Sequence, residues 1–125
     1  MAETLQVWRV YDGPDGLSRL ESVAVPMNQS RHGLVSRLFR GPGFDLHRQS
    51  PGHSFEWHPA PKRQLIVTIS GEAEIECGDG QVLKVRPGVI QLMEDTKGRG
   101  HITRVLGTED RVSIFMPLAD DERLP

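Results

Sequence analysis

The chain has 125 residues, a formal net charge of −2, 37% hydrophobic residues and 26% charged residues. This length predicts one domain, and the composition excludes both a disordered chain and an apolar membrane span. The slightly acidic balance argues against nucleic acid as a partner. Because Cys77 has no second cysteine and no signal-peptide pattern is present, we expect a cytoplasmic protein.

Short strand-like runs separated by Gly, Pro, Asp and Asn follow one another along the chain, and none has the 3.6-residue period of a helix. Alternation is clearest where Ala73, Ile75 and Cys77 share one face and glutamates occupy the other, which is typical of a half-buried antiparallel strand. The following Asp79-Gly80 pair favours a tight hairpin turn. Strands are predicted at Leu5–Val10, Arg19–Val25, Leu34–Arg40, Phe44–Arg48, Ser54–His58, Gln64–Ser70, Ala73–Cys77, Gln81–Arg86, Val89–Met93, His101–Leu106 and Val112–Met116.

Many short strands at this spacing predict an all-β sandwich or barrel. We expect one domain over 1–125, with N-terminal strands forming an extension over 1–33, a barrel over 34–118 and a C-terminal tail over 119–125. The predicted core consists of apolar side chains from the middle of the chain: Leu65, Val67, Ile69, Ile75, Leu83 and Val85.

The segment from Gly52 to Gly71 has the most informative spacing: Gly52, five residues, His58, one residue, Ala60, three residues, Gln64, six residues and Gly71. It resembles the first motif of the cupin superfamily, G-x5-H-x-H-x3,4-E-x6-G, with every spacing kept. Ala60 stands where that motif has its second His, and Gln64 stands where it has Glu. The resemblance implies a small single-domain cupin, an all-β jelly-roll barrel (a double-stranded β-helix) of two antiparallel sheets.

The second cupin motif, G-x5-P-x-G-x2-H-x3-N, is similar to the segment that starts at Gly88. Gly98, two residues and His101 provide its G-x2-H step, so His101 takes the place of the last metal-binding His. This alignment needs two extra residues between Gly88 and Gly98, and without them the His position falls on Arg99. We expect a turn over 97–100 to absorb the insertion, with His101 inside the barrel.

The resemblance implies an interior site made of His58, Gln64 and His101. Such a site would hold a divalent metal ion (Zn, Fe, Mn or Ni) weakly, because Ala60 removes one ligand and Gln64 removes one negative charge. On a regular strand Glu56 points to the same side as His58, so we expect Glu56 to join the site. Alternatively, the two histidines are interior polar residues bonded to their neighbours.

Two further residues have interpretations that bear on this site. Asp95 either orients His101 with its carboxylate or closes an Asx-type turn with its own backbone, and the turn is favoured. Cys77 lies on an apolar strand face, which predicts a buried, unreactive thiol.

Three functions follow from these residues, each with a small molecule as ligand or substrate. The first is a cupin-type enzyme acting in the barrel interior with a weakly held metal ion, as an isomerase, lyase or dioxygenase. The second is a metal-free enzyme in which His58 or His101 is the general base and Glu56 its partner. The third is a non-catalytic ligand-binding cupin. The resemblance also implies a homodimer formed through terminal strands, although these strands could equally cap their own subunit.

Overall fold

A computed structural model of the chain describes residues 3–124, and over that range the chain forms twelve β-strands and no helix. The all-β prediction is therefore confirmed. In the described part of the chain, no helix has the length and apolarity needed to cross a membrane. The strands are β1 Thr4–Asp12, β2 Ser18–Pro26, β3 Asn28–Ser30, β4 Gly33–Val35, β5 Asp45–Gln49, β6 Ser54–His58, β7 Gln64–Ser70, β8 Glu72–Glu76, β9 Val82–Val85, β10 Ile90–Glu94, β11 His101–Leu106 and β12 Arg111–Pro117.

The strands form a six-stranded sheet in the order β2-β1-β10-β7-β12-β5, a four-stranded sheet in the order β6-β11-β8-β9, and a small β3-β4 ribbon. The architecture is a cupin-type β-sandwich. All pairings are antiparallel except β1 with β10, which run parallel from the Trp8–Gln91 pair to the Tyr11–Glu94 pair. The larger sheet is therefore mixed, whereas the resemblance implied two antiparallel sheets.

The N-terminal segment supplies two strands of the larger sheet. β1 lies between β2 and β10 and pairs with β2 along its full length, from Thr4 opposite Pro26 to Asp12 opposite Ser18. The segment predicted as an extension is thus built into the sandwich. The predicted strand over Leu34–Arg40 is much shorter in the structure, where only Gly33–Val35 is extended and paired.

Alternation along β7 decides which side chains enter the core. Gln64, Ile66 and Thr68 are buried, whereas Ile69 is 51% exposed. The predicted core members on β8 and β9 are confirmed, since Ile75, Leu83 and Val85 are buried together. The prediction for Ile69 is wrong, because an inward Gln64 places the even-numbered residues of β7 inside. Leu65 packs in a second cluster with Val7, Val25 and Leu92.

Candidate functional site

A cavity of about 390 Å³ is lined by strands of both larger sheets. His58, Gln64 and His101, the three residues predicted to converge, all line it. Their convergence on one cavity follows from strand pairing, because His58 and His101 are direct register partners on β6 and β11. The centroids of these two imidazole rings lie 4.8 Å apart.

The His101 imidazole is held by a buried carboxylate. His101 is 6% exposed, and its Nδ1 lies 2.5 Å from Oδ2 of Asp95, which is completely buried. The other carboxylate oxygen of Asp95, Oδ1, has no hydrogen-bond partner among the described residues. The structure therefore favours the orienting role of Asp95 over the Asx turn. With Nδ1–H donating to Asp95, the neutral imidazole keeps its lone pair on Nε2.

His58 is oriented in the same sense by a backbone group. Its Nδ1 lies 2.7 Å from the carbonyl oxygen of Glu56, so Nδ1–H is the donor and Nε2 again carries the lone pair. Neither Nε2, of His58 or of His101, has a hydrogen-bond partner among the described residues. The cavity wall therefore presents two imidazoles whose Nε2 atoms can accept a proton or bind a ligand.

The side chain of Glu56 does not reach this cavity, contrary to the expectation from a regular strand. His101 pairs with His58, but Thr103 pairs with Phe55, so β6 carries one extra residue between these pairs. This β-bulge interrupts the alternation of side chains. Phe55 and His58 consequently both line the cavity, whereas Glu56 is exposed and contributes only its backbone carbonyl.

Gln64, the first residue of β7, is 5% exposed and lines the cavity wall. Its neighbours across the sheet are Met93 on β10 and Pro117 on β12. No hydrogen bond joins its carboxamide to another described residue, so the group is available to a ligand in the cavity.

The two-residue insertion forms a turn that is anchored on β1. The backbone N–H groups of Lys97 and Gly98 each donate to the Asp12 carboxylate at 3.0 Å. The hydroxyl of Ser18, the first residue of β2, donates to the Gly100 carbonyl at 2.7 Å. The N-terminal strands therefore position the turn that delivers His101.

Beyond this turn, the chain enters the cavity at the predicted residue. Gly100 has a φ of +86°, and a Cβ atom there would collide with the backbone carbonyl of His58. His101 follows and is buried, while Arg99 is exposed and places its guanidinium 4.0 Å from the centroid of the Trp57 ring. The expected placement of His101 inside and Arg99 outside is confirmed.

Arg111, which no sequence pattern predicted, lines the same cavity and is 2% exposed. Its Nη2 donates to Gln91 Oε1 at 2.9 Å and to Thr68 Oγ1 at 3.2 Å, and its Nη1 donates to Gln49 Oε1 at 3.4 Å. Burial lowers the pKa of Arg111 to about 10, so the group is still charged at neutral pH. Arg111 and the buried Ser113 lie on the same face of β12. A predicted strand that began at Arg111, one residue earlier than the predicted Val112, would therefore have indicated that Arg111 points inward.

Within residues 3–124, His, Cys, Asp and Glu side chains form no cluster of three or more that could hold a metal ion.

The thiol of Cys77 lies away from the cavity lining. Cys77 is fully buried, and burial raises the pKa of its thiol to about 12. Its unreactive, packed environment agrees with the prediction from its strand face.

Comparison with known proteins identifies no protein family and no curated relative for this chain. Among solved structures, the chain is similar to one from the crystal structures of the DMSP lyases RdDddP and RnDddQII. The TM-score is 0.51 at 18% identity, over 82% of this chain and 52% of that chain. This chain therefore spans about half the length of that lyase chain.

Two other solved structures are similar. One is the conserved protein SPY1581 of unknown function from Streptococcus pyogenes, with a TM-score of 0.49 and 19% identity over 70% of this chain and 71% of that chain. The other is the capsular polysaccharide assembling protein CapF from Staphylococcus aureus, with a TM-score of 0.36 and 20% identity over 74% of this chain and 29% of that chain. At such identities the likeness to the lyase chain shows the fold alone. The fold is cupin-type.

Proposed function

We propose that this chain is a small-molecule enzyme that works in the cavity between its sheets, with His101 as general base. The buried Asp95–His101 pair carries this proposal. A buried carboxylate oxygen without a hydrogen-bond partner is costly to a folded protein, and functional sites are where such costs are retained. The likeness in fold to a chain from the DMSP lyase structures supports an enzymatic role.

The geometry suits removal of a proton from a bound substrate. Nε2 of His101 would take the proton, and the Asp95 carboxylate would stabilise the resulting imidazolium without itself becoming protonated. His58, whose ring centroid is 4.8 Å away, offers a second Nε2 to the same substrate. A cavity of about 390 Å³ suits a small metabolite.

Proton abstraction is testable before the natural substrate is known. Small carbonyl compounds, including 2-oxo acids, would be incubated with the protein in D2O, and exchange of their acidic C–H protons followed by 1H NMR. We expect catalysed exchange that falls by about 10²–10⁴-fold in His101→Gln. His53→Gln is the matched control, because His53 is exposed and does not line the cavity. Equal exchange in the wild type and His101→Gln would reject His101 as the general base, and wild-type exchange no faster than in protein-free buffer would favour a non-catalytic binding protein.

A weakly held divalent metal ion is a second candidate, favoured by the anchoring of both imidazoles through Nδ1. Metal-binding histidines commonly donate their other ring N–H to an oxygen, as His58 and His101 do here. The fit is partial, because two imidazoles and the Gln64 carboxamide include no anionic ligand. A Zn, Fe, Mn or Ni ion held by these three side chains would be exchangeable, and it would supply Lewis-acid or redox chemistry.

Elemental analysis of gently purified protein tests the metal candidate. We expect sub-stoichiometric metal in the wild type, none in a His58→Ala and His101→Ala double variant, and removal by a chelator without unfolding. The fold should persist because its apolar core does not include the ion. Equal metal content in the two proteins would eliminate this candidate and leave the general-base proposal standing.

A homodimer is also part of the proposal. β5 is an edge strand of the larger sheet, and large apolar side chains on it and in the segment that precedes it are exposed, namely Leu38 at 88%, Phe44 at 66% and Leu46 at 70%. An edge strand bordered by apolar side chains can pair with its own copy across a two-fold axis. Light scattering that gives a dimer for the wild type and a monomer for Leu46→Lys would support this arrangement, and a monomeric wild type would reject it.

A further inference from the structure

Arg111 is a buried positive charge whose partners in the described part of the chain are all neutral. Its acceptors are the side-chain oxygens of Thr68, Gln91 and Gln49, at 2.9–3.4 Å. No Asp or Glu carboxylate of the described residues lies within ion-pair distance of it. Asp45, a carboxylate in the cavity wall, is exposed and makes no ion pair with it.

The other partly buried arginines in the described chain are paired with carboxylates. Arg9 contacts Glu21 and Glu94, and Arg63 also contacts Glu94. Burying a charge without a counter-charge is expensive, because neutral hydrogen-bond acceptors replace only part of the lost hydration. An Arg in this position therefore indicates a counter-charge that arrives from outside the chain.

The three neutral acceptors orient the guanidinium without cancelling its charge. Of the two N–H groups on Nη1, one is used in a long 3.4 Å contact with Gln49. The second Nη1–H has no acceptor among the described residues, and it can donate a charge-assisted hydrogen bond to one oxygen of a carboxylate. Since Arg111 lines the cavity, this N–H is available to a ligand there.

The position of Arg111 relates it to Gln64, which lines the cavity together with the histidine pair. Its contact Gln91 lies two residues from Met93 on β10, and Met93 is the register partner of Gln64. Two strand residues span roughly 7 Å. We propose that the cavity binds a small organic acid whose carboxylate pairs with Arg111 and whose reactive carbon lies a few bonds away, beside His58 and His101. This inference rests on the proposed function for its reactive end only.

Calorimetric and 1H–15N NMR titrations with butyrate, its neutral analogue butyramide and inorganic phosphate test the inference. We expect saturable butyrate binding with shifts at Arg111, and binding of butyramide at least tenfold weaker. Arg111→Gln should weaken butyrate binding at least tenfold and leave butyramide binding unchanged, with Arg111→Lys intermediate. Arg104→Gln is the control, since Arg104 is a half-exposed arginine paired with Glu76.

Each outcome of these titrations decides the inference. Equal binding of butyrate and butyramide by the wild type, or unchanged butyrate binding by Arg111→Gln, would overturn it. Tighter binding of phosphate than of butyrate would overturn the carboxylate class. If Arg111→Gln does not fold, the wild-type comparison decides alone. Butyrate binding that depends on Arg111, together with equal proton exchange in the wild type and His101→Gln, would reject only the general base.

Discussion

Charge is buried both near the C-terminal end of the described chain and in the cavity, and the two regions treat it differently. At the C-terminal clasp, formed by Arg37, Arg40 and Glu122, the Glu122 side chain is 4% exposed. Its carboxylate accepts from Arg37 Nη2 at 2.5 Å and from the Arg40 backbone N–H at 2.7 Å. In the cavity, Arg111 has only neutral acceptors among residues 3–124, and over the same range Asp95 keeps one oxygen without a partner.

Under the proposed function, this difference separates charge that stabilises the fold from charge that serves a ligand or a reaction. The clasp is a closed set, in which every oxygen of Glu122 has a donor within the chain. The cavity is an open set, because Arg111 lacks an anion and the Nε2 atoms of His58 and His101 lack a donor among the described residues. A closed set stabilises the fold, whereas an open set lowers stability and is retained where a ligand or a reaction completes it.

Asp95→Asn should have the largest effect, and it should be an effect on chemistry. An Asn amide can donate to Nδ1, so His101 would lose its fixed tautomer and Nε2 its lone pair. We expect proton exchange to fall by about 10²–10⁴-fold while the melting temperature stays the same or rises. Imidazole 15N shifts report the tautomer directly. An unchanged tautomer in Asp95→Asn would show that the carboxylate does not orient the ring.

Glu122→Gln should have the opposite profile. Removal of this charge leaves Arg37 without its carboxylate and weakens charge-assisted hydrogen bonds, so the melting temperature should fall by on the order of 5 °C. Butyrate binding and proton exchange should be unchanged in the folded protein. A thermal melt and a butyrate titration on the same sample check both halves. Loss of butyrate binding would show that the clasp and the cavity are coupled.

The fold could be predicted from the sequence because the patterns that indicate it are local. Turn residues mark the strand ends, and the spacing from Gly52 to Gly71 resembles a cupin motif closely enough to indicate the architecture. The parallel pairing of β1 with β10 was not readable, because it joins residues about 80 positions apart and leaves no local pattern. Ile69 was wrongly assigned to the core because β7 carries apolar residues on both faces, so its sequence does not indicate which face is buried.

The site was readable in part. His58, Gln64 and His101 carry motif spacing, and the structure brings all three to one cavity. The bulge on β6 that removes Glu56 depends on pairing with β11, which a single strand cannot reveal. Arg111 belongs to no sequence motif. It stands out because no carboxylate among the described residues pairs with it, and that is known only from the three-dimensional arrangement.

The acid titration of Glu122 sharpens the comparison with a smaller effect. Arg37 holds the pKa of Glu122 at about 2, below its ordinary value of 4.5. Since the folded pKa is lower than the unfolded one, the stabilisation is fully present above about pH 4.5 and is lost as the pH falls toward 2. The difference in melting temperature between the wild type and Glu122→Gln should therefore shrink over this window. A constant difference between pH 5 and pH 2.5 would contradict the pairing of Glu122.

Lys84→Ala should have the smallest effect on stability, and it provides the exposed ion pair with which the buried charges of the clasp and the cavity are compared. Lys84 Nζ lies 2.7 Å from Glu74 Oε2, but its side chain is 62% exposed, so water and salt screen the pair. Glu74 also contacts Arg104 and keeps a cation when Lys84 is removed. We expect the free energy of unfolding to change by less than about 1 kcal/mol, as measured by urea denaturation. A larger loss in the free energy of unfolding would mean that an exposed ion pair stabilises the fold as much as the buried clasp does. The pairing of Glu122 with donors inside the chain would then not explain the stability that the clasp contributes.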